Sequence, residues 1–206
     1  MKKSIFILFF IMAQLSLEQE CMNVKFKIRG YFYAGSNQID STAYGGWYID
    51  KNVPQKLNAE IAGFTKSNNL KLVVKPEMTA EYIEGIAGFK VFVINKSDSV
   101  MELPAQDSRL YLVRQVFYQD EWRNVEYLPS SWCGNSYHNV YINPNEYWEF
   151  TAPCLKGKIE AKFRFQLYVN ENLTIYSNEF DGSFNRRQLR KEQGYKPMGF
   201  MDPYNN

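Results

Sequence analysis

Apolar and polar residues alternate with a period of two along much of the chain, which is typical of strands with one face in a core and one in water. The alternation is clearest from Lys158 to Val169. The apolar face carries Ile159, Ala161, Phe163, Phe165, Leu167 and Val169. Lys158, Glu160, Lys162, Arg164 and Gln166 form the polar face. We therefore predict a long, half-buried strand over this segment.

Shorter runs of the same kind predict further strands. They cover residues 24–28, 70–75, 89–94, 110–118, 122–128, 140–142, 147–151 and 173–180. The run 89–94 is more continuously apolar, which favours a central strand. Turn residues at Gln119–Glu121 and Asn143–Glu146 favour hairpins. About eight closely spaced strands from residue 70 to residue 180 predict an all-β fold, an immunoglobulin-like antiparallel β-sandwich.

The segments before and after the predicted sandwich are expected to be a signal peptide, an N-terminal extension and a C-terminal tail. Met1-Lys2-Lys3 and an apolar run to Ala13 fit a signal peptide over residues 1–13, because a membrane span needs roughly 20 apolar residues. Residues 14–69 are expected to be an N-terminal extension or extra edge strands, and residues 70–182 the sandwich. Residues 183–206 are expected to be a basic tail, helical over 184–193 or disordered. The mature chain would then be secreted or periplasmic, without an integral membrane segment.

The charge balance argues against nucleic acid as a partner. The full chain has 24 basic and 22 acidic side chains, a formal net charge of +2. Removal of residues 1–13 takes away Lys2 and Lys3, so the mature chain is formally neutral. A neutral chain has no general attraction to nucleic acid or anionic membranes. Basic residues cluster only in the tail, at Arg186, Arg187, Arg190 and Lys191.

Export predicts that some of the three cysteines form a disulfide, because disulfides form in oxidising compartments. A hairpin of residues 140–142 and 147–151 would bring Cys133 and Cys154 to the same end, so we predict a Cys133–Cys154 disulfide. Cys21 would then be left over, or would pair with another molecule. Lipidation of Cys21 is an alternative that would anchor the protein at the envelope, although Glu18 and Glu20 disfavour the required cleavage.

The sequence predicts no enzyme. His138 is the only histidine, so any device that uses histidine as a base must include it. It lies five residues after Cys133, which the predicted disulfide would occupy. The chain contains no zinc-ligand cluster, phosphate-binding loop or calcium loop. We therefore expect no catalytic residue, no metal and no cofactor.

Two tryptophans and one tyrosine are candidate binding residues. Trp132 lies in the turn-rich segment 129–135, Trp47 follows Gly45-Gly46, and Tyr137 lies nearby in sequence to Trp132. A loop tryptophan could anchor a protein or a sugar, or could fold back to cap the sandwich. Trp148 alternates with Phe150 and Ala152, so we predict that it belongs to the core.

Part of the chain resembles a known family. The residues that carry the resemblance are Val91–Ser97, Ile142–Glu146, Gly157 leading into Lys158–Val169, and Tyr176–Gly182. They resemble bacterial secreted immunoglobulin-like β-sandwich modules, including the BsuPI-type proteinase inhibitor domain. The resemblance implies a sandwich fold and, more faintly, proteinase inhibition.

We therefore expect an exported, non-catalytic β-sandwich that binds an unknown protein or glycan in the cell envelope or the secreted fraction. The first alternative is a proteinase inhibitor acting through an exposed loop at residues 129–137. The second is a carbohydrate-binding module that uses Trp132 and neighbouring tyrosines.

Overall fold

The computed structural model describes residues 19–129 and 134–193. Its strands are β1 (Ile28–Arg29), β2 (Gln55–Lys56), β3 (Leu70–Ile83), β4 (Ile86–Asn95), β5 (Met101–Gln106), β6 (Arg109–Leu110), β7 (Leu112–Tyr118), β8 (Glu121–Asn124), β9 (Glu126–Tyr127), β10 (Tyr137–Ile142), β11 (Glu146–Pro153), β12 (Ile159–Asn170), β13 (Leu173–Tyr176) and β14 (Phe180–Phe184). One short helix, α1, covers Ala59–Ala62, and 3₁₀ turns cover Gly134–Ser136 and Arg186–Leu189.

The strands form antiparallel sheets that pack together. The first sheet has the order β2-β11-β4-β3, and the second has β13-β12-β7-β8 with β14 also paired to β12. A third has the order β10-β5-β6, and β1 pairs with β9 in parallel. Side chains from all three antiparallel sheets meet in one hydrophobic core. The predicted all-β, sandwich-like fold is confirmed.

The period-two prediction is confirmed in β12. Phe163, Phe165, Leu167 and Val169 are each at most 3% exposed, and the polar residues between them face outward. Trp148 is fully buried in the same core, as its alternation in β11 predicted.

The continuously apolar strand is also central, as predicted. Strand β4 lies between β3 and β11. Its Val91 and Val93 face the main core, whereas Phe92 and Ile94 face a smaller cluster that includes Ile61 of α1. Both faces of β4 are therefore covered, which explains its lack of alternation.

One predicted hairpin is confirmed and the other is wrong. Gln119 and Asp120, both at positive φ, join the paired strands β7 and β8. By contrast, β10 pairs with β5 and β11 pairs with β4, so the turn before Glu146 carries the chain from one sheet to another. Turn residues specify a change of direction, but they do not specify which strand becomes the neighbour.

The predicted Cys133–Cys154 disulfide is wrong, because it depended on that hairpin. Cys154 is bonded instead to Cys21, with the two Cα atoms 4.6 Å apart. The Met22 N–H donates to the Cys154 carbonyl at 2.8 Å, so residues beside Cys21 run along the end of β11. Lipidation of Cys21 is wrong as well, because its sulfur is already bonded. Cys133 lies outside the described residues.

The first and last segments of the described residues pack on the sandwich. Phe32 and Ala34 are fully buried in the main core, so residues before β2 belong to the sandwich. The strand predicted over residues 24–28 is limited to β1. The helix predicted over 184–193 is only the turn Arg186–Leu189, and the Lys27 N–H donates to the Lys191 carbonyl at 2.6 Å.

Two predicted segments lie outside the described residues, namely the signal peptide and the tail beyond residue 193. Among the helices in the described ranges, none is long and apolar enough to cross a membrane.

Candidate functional site

The loop between β1 and β2 is fixed against one end of the sandwich. The buried Trp148 donates its indole N–H to the Gly35 carbonyl at 3.0 Å, and the Gly35 N–H donates to the Asn52 carbonyl at 2.9 Å. A Cβ atom at position 35 would collide with the Asp50 carbonyl. Glycine is therefore required where the two ends of the loop approach each other.

The turn between β5 and β6 holds the middle of this loop. Asp107 and Ser108 have φ of 48° and 62°, the left-handed geometry of a two-residue hairpin that usually selects glycine at its second position. The Ser108 hydroxyl donates to the Tyr48 carbonyl at 2.8 Å and accepts from the Asp50 N–H at 3.0 Å. Asp107 Oδ1 accepts from the Tyr48 N–H at 3.2 Å. Serine thus compensates for its backbone conformation by fixing the backbone of residues 48–50.

Between the loop and the turn lies an open groove of about 720 Å³. We call it the Trp47 groove, and its walls are Tyr33, Gly46, Trp47, Tyr48, Asp50, Asp107 and Arg109. The Tyr48 side chain is 56% exposed, and its ring meets Tyr33 edge-on with centroids 6.4 Å apart. The groove therefore combines accessible aromatic surface with charged hydrogen-bonding groups.

Arg109 places a buried cation in the wall of the groove. Its side chain is 6% exposed, and Nη2 donates to the Tyr33 hydroxyl at 2.5 Å. The guanidinium also lies 5.0 Å from the centre of the Tyr33 ring. Among the residues that the structure describes, Arg109 makes no ion pair with a carboxylate, and its Nε has no hydrogen-bond partner. A buried donor without a partner lowers the stability of the fold unless a ligand or a water molecule accepts its hydrogen bond.

His138 supports Trp47 from behind. The two rings stack with centroids 4.8 Å apart and 15° between their planes. His138 is buried, and its Nδ1 lies 3.2 Å from the Ser136 carbonyl. Burial lowers the pKa of His138, and the Ser136 carbonyl and the charges of Asp107 and Asp40 only partly oppose this effect. A neutral imidazole thus holds the indole in place.

Asp40 ties the loop to β10 beside this stack. Its carboxylate accepts hydrogen bonds from the Thr42 N–H at 2.9 Å and from the Asn139 N–H at 2.8 Å. Burial acts to raise the pKa of Asp40, but the hydrogen bonds from Thr42 and Asn139 outweigh it, so the pKa is lowered. The ionised carboxylate of Asp40 therefore connects the loop that carries Trp47 to the strand that carries His138.

The structure brings only part of the predicted binding set to this groove. Trp47 lines it, whereas Tyr137 is not among the wall residues. His138, which stacks on Trp47, and Tyr137 are successive residues of β10, so their side chains point to opposite faces. Trp132 lies outside the described residues, as do residues 130–133 of the loop 129–137 predicted for proteinase inhibition. Sequence reasoning missed Tyr33, Asp50, Asp107 and Arg109, and the only signal nearby was the Trp47-Tyr48 pair after two glycines.

Among the described residues, no group of three or more His, Cys, Asp or Glu side chains could hold a metal ion. The residues of the Trp47 groove are suited to binding through aromatic contact and hydrogen bonds. No protein-family model, curated protein or solved structure matches the chain.

Proposed function

We propose that this chain is an exported, non-catalytic β-sandwich protein that binds a carbohydrate in the Trp47 groove. The observation that carries the proposal is the exposed Tyr48 ring beside two carboxylates and a buried guanidinium. A sugar ring has an apolar C–H face and a rim of hydroxyl groups. Aromatic side chains pack against the first, and charged side chains form hydrogen bonds with the second.

The polar groups of the groove complement sugar hydroxyls in both directions. Asp50 and Asp107 accept hydrogen bonds, whereas Arg109 only donates them. Arg109 makes no ion pair with a carboxylate among the described residues, so it brings an uncompensated cation to the groove wall. Two negative charges against one positive charge favour a neutral sugar over an acidic one.

Export belongs to the same proposal, and the Cys21–Cys154 disulfide supports it. Disulfides persist in secreted and periplasmic proteins and are rare in the cytosol. A protein in these compartments meets extracellular and cell-wall polysaccharides, which agrees with a groove suited to a neutral sugar.

A glycan array followed by titration calorimetry tests the proposal. The purified protein is expected to retain a neutral oligosaccharide, and Tyr48→Ala is expected to weaken that binding about tenfold by removing a stacking ring. Tyr168→Ala is the matched control, because Tyr168 is also exposed but lies on β12, away from the groove. A blank array, or equal losses for both variants, would overturn the proposal.

Ser108→Gly tests whether the fixed loop matters for binding. Glycine suits the positive φ of position 108, but it removes both hydrogen bonds to residues 48 and 50. We expect a fold of nearly unchanged stability and binding that is weaker by roughly fivefold. Unchanged glycan binding would show that the groove does not depend on this turn.

A further inference from the structure

A second recess opens where β3 departs from β4. Lys75 pairs with Lys90 and Thr79 pairs with Phe89, so three residues of β3 from Pro76 to Met78 bulge out of the ladder. Proline cannot donate to a neighbouring strand, which favours a bulge at this point. Behind Pro76 a pocket of about 150 Å³ leads toward the core.

This recess, which we call the Arg114 pocket, is mainly apolar. Its walls include Phe89, Phe163, Phe180, Leu155, Cys154 and Arg114. The Phe180 ring lies 5.3 Å from Phe89 edge-on and 5.8 Å from Phe163 in a stacked arrangement. An apolar cavity of about 150 Å³ is large enough to hold one benzene-sized ring.

The one charged side chain in the inner wall is Arg114, which is 1% exposed. Its Nη2 donates to the Tyr31 hydroxyl and to the Pro153 carbonyl, both at 2.9 Å. Nε lies 3.2 Å from Glu126 Oε1 but makes no directed hydrogen bond. Nη1 makes no hydrogen bond with any described residue. The guanidinium therefore retains donor capacity beside an apolar space.

A lysine offsets the negative charge at the mouth of the pocket. Asp181 lies there, but its carboxylate pairs with Lys162 at 2.7 Å. Deeper in, three phenylalanine rings make the wall apolar, so a charge-assisted hydrogen bond to Arg114 would be strong. The recess thus combines a ring-sized apolar space with a cation that retains unused donors.

We propose that the Arg114 pocket binds a small carboxylate that carries one aromatic ring. The ring packs among Phe89, Phe163 and Phe180, and the carboxylate accepts hydrogen bonds from Arg114. The site shares no residue with the Trp47 groove, so it does not depend on the carbohydrate proposal.

Benzoate and benzamide are the probes, because they share one shape and differ in charge. Titration of the full protein at neutral pH, followed by NMR of the aromatic side chains, is expected to show benzoate binding about tenfold tighter than benzamide. The shifted signals should belong to Phe89, Phe163 and Phe180. Equal affinity for the two probes, no binding at millimolar concentration, or shifts elsewhere would overturn the proposal.

Leu155→Trp is the blocking variant, because it fills the pocket while Arg114 and Glu126 stay in place. We expect benzoate binding to fall at least tenfold. Tyr48→Ala is the control and should leave benzoate binding unchanged. If Leu155→Trp does not fold, the comparison of benzoate with benzamide on the unaltered protein still decides. Retained benzoate binding in folded Leu155→Trp would contradict the proposal.

Discussion

Two buried arginines five positions apart are held in similar ways and are used differently. Arg109 and Arg114 are both more than nine-tenths buried, and each donates Nη2 to a tyrosine hydroxyl. The tyrosines are Tyr33 and Tyr31, which flank the core residue Phe32. One short stretch of the N-terminal segment therefore holds both cations.

The difference is the counter-charge. Glu126 is fully buried beside Arg114. Its carboxylate accepts hydrogen bonds from the Tyr31 hydroxyl at 2.7 Å and from the backbone N–H of Arg114 at 2.8 Å. Burial raises the pKa of Glu126, against the charge of Arg114 and the hydrogen bonds from Tyr31 and the Arg114 N–H. Arg109 has no such carboxylate among the described residues and faces the open groove. The arginine–tyrosine pair at Arg114 therefore has a counter-charge inside the core, whereas the pair at Arg109 has none among the described residues and lines an open groove.

The largest expected effect comes from breaking the ion pair between Arg114 and Glu126. Glu126→Leu leaves Arg114 buried without a counter-charge, so we expect the free energy of unfolding to fall by about 3–5 kcal/mol. Arg109→Met removes a cation that is not paired, and it should cost only about 1 kcal/mol. Urea denaturation of both variants measures the difference. Equal losses would show that the two arginines are not used differently.

The double variant Arg114→Met/Glu126→Leu is the control for that experiment. It replaces both charges with apolar side chains, so it should recover much of the stability that Glu126→Leu loses. A double variant less stable than Glu126→Leu would mean that packing, and not an unpaired charge, causes the loss.

Removal of the disulfide should have a smaller effect on stability, and it should affect the region of the Arg114 pocket more than the Trp47 groove. Cys154 lines the Arg114 pocket, and the bridge links residues 133 positions apart. We expect Cys21→Ser/Cys154→Ser to lower the free energy of unfolding by about 2–4 kcal/mol while glycan binding in the Trp47 groove persists. Cys133→Ser, measured in the same denaturation series, should leave the bridge intact. Loss of the bridge in Cys133→Ser would contradict this assignment.

The strands were predictable from sequence because their pattern is local. Burial of alternate side chains leaves a period of two, as in β12, and burial of both faces leaves an unbroken apolar run, as in β4. The pairing of β10 with β5 was not predictable in this way. A turn such as Asn143–Glu146 looks the same whether the next strand returns to its neighbour or crosses to another sheet, and the disulfide prediction failed with it.

The candidate sites depend on contacts between residues far apart in the chain. Trp47 was identifiable because it follows two glycines in a polar loop, where a tryptophan is a candidate binding anchor. Arg109 and Arg114 carry no local signal, since their roles come from Tyr33, Tyr31 and Glu126. The serine at position 108 is informative only after its positive φ is known.

The smallest expected effect concerns pH, and at the Trp47 groove it should come from His138. His138 is the only histidine in the chain, and burial lowers its pKa below the usual value of 6.5. As the pH falls below about 6.5, the unfolded chain takes up this proton before the folded protein does. The stability contributed by neutral His138 is therefore present above pH 6.5 and is lost as the pH falls toward the lowered pKa of the folded state.

Urea denaturation between about pH 8 and pH 5.5, a range above the usual carboxylate pKa values, measures that loss. His138→Phe is the matched variant, since a phenyl ring can still stack on Trp47 but cannot take up a proton. We expect the stability of the original protein to decline more steeply with acid than that of His138→Phe. NMR titration of the single imidazole should give a pKa below 6.5 in the folded protein. Parallel stability curves, or an imidazole pKa at or above the usual value, would show that Trp47 does not rest on a neutral histidine.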